Sequence, residues 1–365
     1  MKRFFRHLIF SGWSQANWLT YVLLPLTVIY RLLSWLRERL YNASWLERYQ
    51  AKVPVIIVGN ISVGGTGKTP LTIALAKQLI SRGFKPGVIS RGYGGSALEW
   101  PQRVDQKSNP HYIGDEPVLV ARRNICPVVV GPDRGKAIDL LLSENDCDII
   151  LSDDGLQHYA LQRDIELSVV DAQRRHLNVF CLPSGPLREP VSRLKSVDMV
   201  ILHTTKEGAL LKNDEHLDVL SKMGLSNGVE KTSNPISATT NSNAPLFTMY
   251  LEQKPVKALL SDATLTSGTV HAVAGIGHPQ RFFNALSNIG FDVIEHPFED
   301  HHQFVASDFK FNDRFPIVMT EKDAVKCESF ANKKFYYLPV EAKLNDAMLS
   351  EFDKLVDSVV ESRKQ

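Results

Sequence analysis

The chain has 365 residues, 42 Lys plus Arg against 40 Asp plus Glu, a net charge of +2, and 44% hydrophobic residues. That composition can bury a core sizeable enough for two domains and excludes a collagen-like, disulfide-scaffold or wholly disordered chain. The near-neutral charge argues against a protein built to neutralise a nucleic-acid backbone. Cys126, Cys147, Cys181 and Cys327 are scattered without a Cys-x-x-Cys pair. They read as buried or free thiols in a reducing compartment, with no zinc or disulfide framework.

Charge is uneven along the chain. Lys2, Arg3, Arg6, Arg31, Arg37, Arg39, Arg48 and Lys52 precede residue 60, against only Glu38 and Glu47, and Trp13, Trp18, Trp35 and Trp45 fall in the same segment. Residues 8–30 carry no charge. A basic, tryptophan-rich apolar segment suits the membrane headgroup boundary, because the indole ring is apolar while its N–H wants water. At about 1.5 Å per residue the run is long enough for a ~30 Å hydrocarbon layer. Ser11, Ser14, Gln15, Asn17 and Pro25 dilute it, so the expectation is one membrane-attached helix, spanning or half-inserted.

From Val53 the pattern changes to short β-branched runs separated by glycine loops and amphipathic stretches. Strands are expected at 54–58, 87–90, 127–130, 147–151, 166–170 and 197–202, with helices at 70–81 and 135–144. Such alternation predicts a parallel sheet covered on both faces. Residues 206–244 are polar and weakly periodic, as in a linker or surface insertion. A second α/β unit is expected from a strand at 269–274 through a helix at 280–288 to strands at 291–295 and 316–320.

The strongest chemical signal is Val58-Gly-Asn-Ile-Ser-Val-Gly-Gly-Thr-Gly-Lys-Thr-Pro70, which follows a strand and opens a helix. Glycines let the backbone N–H groups turn inward, and the helix start adds partial positive charge, so Ser62, Val63, Gly64, Gly65, Thr66, Gly67, Lys68 and Thr69 form a candidate triphosphate cradle. Lys68 would reach the β- and γ-phosphates and Thr69 would ligate magnesium. Ser62 stands where the usual pattern has its first glycine. Leu151-Ser-Asp-Asp-Gly-Leu-Gln157 ends a strand, and a carboxylate there lies beside a phosphate loop, where Asp153 or Asp154 can hold magnesium.

Other charged motifs end strands or begin loops: Ser90-Arg-Gly-Tyr-Gly94, Gly114-Asp-Glu-Pro117, Gly131-Pro-Asp-Arg134 and Ser184-Gly-Pro-Leu-Arg-Glu-Pro190. In a doubly wound sheet such loops converge at the carboxyl ends of the strands, where Arg91, Arg134 and Arg188 would face phosphates. Glu299-Asp-His-His-Gln303 could be a metal site, an Asp/His proton relay or a solvated loop. Thr320-Glu-Lys-Asp323 loosely resembles a guanine-recognition string, which keeps a GTPase reading open.

Taken together with Gly185-Pro-Leu-Arg-Glu-Pro190, Gly275-Ile-Gly-His-Pro-Gln-Arg-Phe-Phe283, Asp300-His301 and Met319-Thr-Glu-Lys-Asp-Ala324, these motifs resemble the tetraacyldisaccharide 4'-kinase family of lipid A biosynthesis. They run in order from about residue 55 to 325. The resemblance implies a P-loop NTPase-type α/β fold, mostly parallel, with a smaller C-terminal α/β domain and an N-terminal membrane helix. The organisation expected is a membrane-associated helix at 1–45, a kinase domain at 46–205, a linker at 206–267 and a C-terminal domain at 268–365.

The activity implied is transfer of the ATP γ-phosphoryl group to the 4'-hydroxyl of an acylated glucosamine disaccharide 1-phosphate, a lipid A precursor. It would occur on the cytoplasmic face of the inner membrane of a Gram-negative bacterium, with Mg2+ and with no nucleic-acid or protein partner. The resemblance assigns Asp115 as base, assisted by His301. It gives Glu116, Asp153 and Asp154, with Thr69, to magnesium or the catalytic network, and Arg134 and Arg188 to phosphate charge.

Overall fold

The computed structural model describes residues 11–13, 16–172, 178–205, 238–239 and 244–364. Expectations placed on the first ten residues, and on the polar stretch apart from 238–239 and 244, lie outside the described residues.

The uncharged N-terminal run is not one helix. Helix α1 (Trp18–Val22) is capped by Asn17, whose side chain accepts from the Thr20 N–H at 3.2 Å while the Thr20 hydroxyl accepts from the Asn17 N–H at 3.1 Å. The chain turns at Leu23 and restarts as α2 (Leu24–Asn42), with Pro25 in its first turn. Proline is suited to a helix start and cannot donate into a continuing helix, so the break falls where the sequence puts it. Because α2 also carries Arg31, Arg37, Glu38 and Arg39, no described helix is long and apolar enough to cross a membrane. The expectation of one membrane-attached helix, spanning or half-inserted, is corrected in two respects: the described run is divided into two helices, and neither can span.

Those two helices are also inside out. Their buried residues are Thr20 and Thr27, whereas Trp18, Tyr21, Leu26, Val28, Ile29, Leu32, Leu33 and Trp35 are exposed. Polar groups make the attachment: the Thr27 hydroxyl donates to Ser184 Oγ at 2.8 Å, Tyr30 Oη donates to the Arg188 carbonyl at 2.8 Å, and Trp13 Nε1 donates to the Pro183 carbonyl at 3.0 Å.

From Val55 the chain alternates through β1 (Val55–Gly59), α3 (Lys68–Ser81), β2 (Pro86–Ser90), β3 (Gln102–Val104), α4 (Pro110–Ile113), α5 (Asp115–Arg122), β4 (Val128–Val130), α6 (Arg134–Glu144), β5 (Ile149–Asp153), β6 (Ile165–Asp171) and β7 (Met199–Thr204). Then follow β8 (Pro245–Gln253), β9 (Val256–Ala258), β10 (Thr264–Leu265), β11 (Gly268–Ala274), α7 (Pro279–Asn288), β12 (Phe291–Pro297), β13 (Ile317–Thr320), α8 (Glu321–Cys327), β14 (Phe335–Leu338) and the C-terminal α9 (Asp346–Ser362). The strands expected from β-branched runs appear within a residue or two of their predicted bounds.

The chain divides into two compact units, each discontinuous. One comprises 1–68, 149–250 and 343–365; the other comprises 69–148 and 251–342. In the first, β8, β7, β6, β1 and β5 lie side by side, all parallel, with Val58 opposite Asp153 on one side and Leu167 on the other. Val55 to Val58, Ile149 to Leu151 and Met199 to Leu202 are all fully buried, which explains their unbroken apolar runs: a parallel strand covered on both faces has no polar side. After α9, Arg363 forms a bidentate pair with Asp164 at 2.9 Å and donates to the Ala51 carbonyl at 3.0 Å, joining three chain segments of this unit.

In the second unit β2 and β4 pair in parallel and β3 runs antiparallel to β4. A six-stranded sheet in the order β10-β9-β14-β13-β11-β12 makes up its other part, parallel among β14, β13, β11 and β12. Helix α7 covers this sheet with Phe282, Phe283 and Leu286, packed on Val270, Ala272, Val318 and Leu338. Phe283 is 1% exposed, so Phe283→Ala leaves a cavity and is expected to cost about 3–5 kcal/mol of stability, measured by denaturant unfolding of this unit.

Candidate active site

The glycine loop of the first unit begins where β1 ends at Gly59, whose missing side chain is required by Leu156: a Cβ there would lie 2.5 Å from Leu156 Cβ. Buried Asn60 then braces the loop internally. Its Nδ2 donates to Thr66 Oγ1 at 3.2 Å, and its carbonyl accepts from Gln157 Nε2 at 2.9 Å. His203, at the end of β7, donates from Nδ1 to the Thr66 carbonyl at 3.0 Å. The Val63 N–H donates to the Pro186 carbonyl at 2.8 Å, and Ser62 forms an isolated bridge with Leu187. Gly64 and Gly67 hold φ of 101° and 93°, the left-handed backbone that curls the loop.

Lys68 closes the loop, its Nζ 3.4 Å from Asp154 Oδ1. Arg188 Nη1 lies 3.1 Å from both Asp154 oxygens and 3.3 Å from Gln157 Oε1. Burial would push the Asp154 carboxyl up, but Lys68 and then Arg188 outweigh it and hold the group far below the usual carboxylate range. Asp153, its neighbour at the end of β5, is 1% exposed, and Thr69 is also buried. Thus Lys68, Asp154, Arg188 and Gln157 lie together beside the loop.

The second unit holds a different cluster. Gly114 takes φ of 100° at the head of α5 and places Asp115 in its first turn, where the helix start favours a carboxylate. Asp115 Oδ2 lies 3.2 Å from His301 Nδ1, 3.5 Å from Lys326 Nζ and 4.0 Å from Lys322 Nζ. Its Oδ1 accepts the Glu116 N–H at 2.9 Å. Burial pushes the Asp115 carboxyl up, but the His301 hydrogen bond and the ammonium groups of Lys322 and Lys326 more than offset it, holding the group at about 2.

Two lysines that the sequence reading left out of the site therefore belong to it. Lys322 also donates to Glu116 Oε1 at 3.0 Å and sits 3.4 Å from His301 Nε2. Lys326 donates to Asp323 Oδ1 at 2.8 Å and lies 5.3 Å from the centre of the Phe304 ring. Asp323 in turn accepts from the Gly275 N–H at 2.9 Å and pairs with the Thr320 hydroxyl at 2.7 Å, while the His301 N–H donates to the Gly275 carbonyl at 3.1 Å. His301 holds φ of 60°, left-handed for a residue with a side chain, and the Tyr93 ring packs edge-on to it at 5.2 Å. The spacing of Lys322 and Lys326, four apart on α8, was the available signal.

Arg134 was expected to face phosphates; it is 1% exposed at the start of α6, where Nη1 lies 3.5 Å from the Gly131 carbonyl. Arg91 is exposed. Of the candidate metal ligands, Glu116 is paired with Lys322, and Asp154 with Lys68 and Arg188. Among the described residues no group of three or more His, Cys, Asp or Glu side chains is gathered for a metal ion.

Parallel α/β sheets, a braced glycine loop and a buried, ion-paired carboxylate–histidine pair define the class: an α/β enzyme with the apparatus for handling a phosphorylated substrate. The chain belongs to the tetraacyldisaccharide-1-P 4'-kinase family, whose sequence profile matches residues 19–359. A tetraacyldisaccharide 4'-kinase from Alkalilimnicola ehrlichii is 45% identical over 335 residues, covering 90% of this chain and 89% of that protein. One from Nitrosococcus oceani is 42% identical, covering 92% and 90%. A crystal structure of LpxK from Aquifex aeolicus in complex with ATP has a TM-score of 0.72 at 27% identity, covering 93% of this chain and 99% of that one.

The glycine loop generates a direct test. A Cβ at Gly67 would lie 2.9 Å from Met249 Cε and 3.2 Å from His203 Nδ1, on a backbone that side chains rarely adopt. Gly67→Ala is expected to weaken ATP binding about tenfold or more while leaving the second unit folded, measured by nucleotide titration and near-UV circular dichroism.

Proposed function

We propose that this chain transfers the γ-phosphoryl group of ATP to the 4'-hydroxyl of a tetraacylated glucosamine disaccharide 1-phosphate, a lipid A precursor; its relatives are named for 4'-kinase action on a tetraacyldisaccharide. The observation that carries this reading is the Asp115–His301 pair, a buried carboxylate kept ionised beside a histidine. Family membership and the ATP complex of the Aquifex aeolicus protein support the choice of donor and acceptor.

A sugar hydroxyl is a poor nucleophile at neutral pH, so it needs an oriented proton acceptor. In the proposed reaction Asp115 accepts the 4'-hydroxyl proton as the oxygen forms its bond to the γ-phosphorus. The bond from that phosphorus to the bridging β,γ-oxygen breaks, and ADP leaves with the electron pair. The loop from Ser62 to Thr69 binds the triphosphate through backbone N–H groups, and Lys68 and Arg188 neutralise the charge on its oxygens. Thr69 and Asp153 offer the hard oxygen donors that suit Mg2+ and would hold it; when bound it would neutralise charge on the β- and γ-phosphate oxygens.

Four acyl chains keep the acceptor in a bilayer, and the exposed apolar face of α1 and α2 supports attachment in the interface rather than across it. Arg31, Arg37 and Arg39 on α2 suit an anionic lipid surface, consistent with work at the cytoplasmic face of the inner membrane.

With ATP, Mg2+ and the purified lipid disaccharide, Lys68→Ala and Asp115→Ala are each expected to lower turnover by about a hundredfold or more. Near-parental kcat in Asp115→Ala would remove Asp115 as base, and no lipid-dependent ADP release from the parent would remove the kinase reading. A double change on the outer face of α2, Ile29→Glu with Leu33→Glu, should raise KM for the lipid about tenfold or more and leave KM for ATP unchanged. Equal effects on both constants would make the helix purely structural.

A further inference from the structure

Each ring nitrogen of His301 has a nearest partner of known donor or acceptor character. Nδ1 lies 3.2 Å from Asp115 Oδ2, a carboxylate oxygen that can only accept. Nε2 lies 3.4 Å from Lys322 Nζ, an ammonium that can only donate. Both contacts are satisfied together by one form of the ring, the neutral tautomer with its proton on Nδ1. The opposite tautomer would set two acceptors face to face at Asp115 and two donors face to face at Lys322. The imidazolium would satisfy Asp115 but set a second cation against Lys322.

Lys322 is itself held in place. Its ammonium donates to Glu116 Oε1 at 3.0 Å, and its side chain is 19% exposed. Asp300 Oδ1 lies 3.9 Å from His301 Nε2 and adds its charge to the surroundings of Lys322. Glu116 and Asp115 raise the ammonium above the ordinary lysine range, against burial that acts to lower it. On the other side, Asp323 grips Lys326 and the Gly275 N–H, and Gly275 receives the His301 N–H, so α8 fixes the histidine through both its side chain and its backbone.

We propose that Lys322 is the positioning residue of the Asp115–His301 pair: by donating to His301 Nε2 it fixes the Nδ1–H tautomer and so commits Oδ1 of Asp115 to receive the acceptor's proton. The two carboxylate oxygens are not equivalent. Oδ2 faces His301, Lys326 and Lys322, whereas Oδ1 accepts the Glu116 N–H and a carboxylate oxygen has a second lone pair to offer. A proton arriving on Oδ1 leaves the bond from His301 to Oδ2 intact, so the pair passes through the reaction without moving its ring. This rests on the kinase reading above for the identity of the proton's source, but the arrangement of His301 is independent of it.

The test separates the two. In the full-length chain labelled with 15N-histidine, long-range proton–nitrogen correlation spectra report the protonation of each ring nitrogen, with the His301 signals identified by their loss in His301→Gln. The expected pattern is a protonated Nδ1 and an unprotonated Nε2; a protonated Nε2, alone or with Nδ1, overturns the proposal. In Lys322→Met that pattern should be lost. Its kcat should fall about tenfold or more with KM for ATP within about twofold, and Lys322→Arg should recover part of the loss. An unchanged tautomer and kcat in a folded Lys322→Met also overturns it. If that variant does not fold, the parental spectrum and Lys322→Arg still decide. Since the spectra need no turnover, the expected tautomer in a chain that never phosphorylates lipid would reject the kinase reading alone, and active enzyme with the other tautomer would reject this inference alone.

Discussion

A carboxylate removed from water and yet kept charged is the constraint around which the second unit is organised. Asp115 is 6% exposed, and burial alone would favour its neutral form. Its ionisation depends on His301, Lys322 and Lys326, which come from a loop and a helix distant in sequence. Each partner then needs a partner of its own: Glu116 for Lys322 and Asp323 for Lys326. The network is affordable because every cation in it has a carboxylate, whereas an unpaired buried charge would cost several kcal/mol. A carboxylate held at about 2 is a weak base. On the proposed reaction it orients the hydroxyl and takes up its proton as the phosphorus–oxygen bond forms, which suits a loose phosphoryl-transfer transition state that asks little of base strength.

The first unit meets the opposite electrostatic demand. There the loop from Ser62 to Lys68 offers backbone N–H groups and a buried ammonium, and that ammonium shares the one carboxylate of Asp154 with Arg188. Braces from Asn60, Gln157 and His203 fix the loop before any ligand is considered, so little order would be lost on binding. The N-terminal helices attach to this unit through polar contacts and turn their apolar residues outward. Ordinary amphipathic packing is reversed there, which is reasonable only where something apolar covers the outer face.

Much of this was legible in the sequence, for physical reasons that differ from place to place. Strands such as 54–58 and 197–202 announced themselves because central parallel strands are buried on both faces. The glycine loop was legible because strand, turn and helix are adjacent in sequence. Lys322 and Lys326 were not, since cations four apart on a short helix usually mark a solvated face. Only packing against Asp115, Asp323 and Phe304 turns them inward. Arg134 lies at the start of α6, buried near the Gly131 carbonyl, a setting that its place after a strand does not reveal. The uncharged run at 8–30 was read as one helix because counting apolar residues gave too little weight to the Asn17 cap and to Pro25, which divide it.

The Arg363 clasp has a consequence for how such a chain matures. Arg363 ties together Ala51 and Asp164, residues made long before it during translation. The β1–β5–β6 neighbourhood can assemble as it emerges, but this fastening waits until every residue from Ala51 to Arg363 has left the ribosome. Both segments of the second unit have by then been synthesised, so the two units are interleaved in translation and the first is latched last.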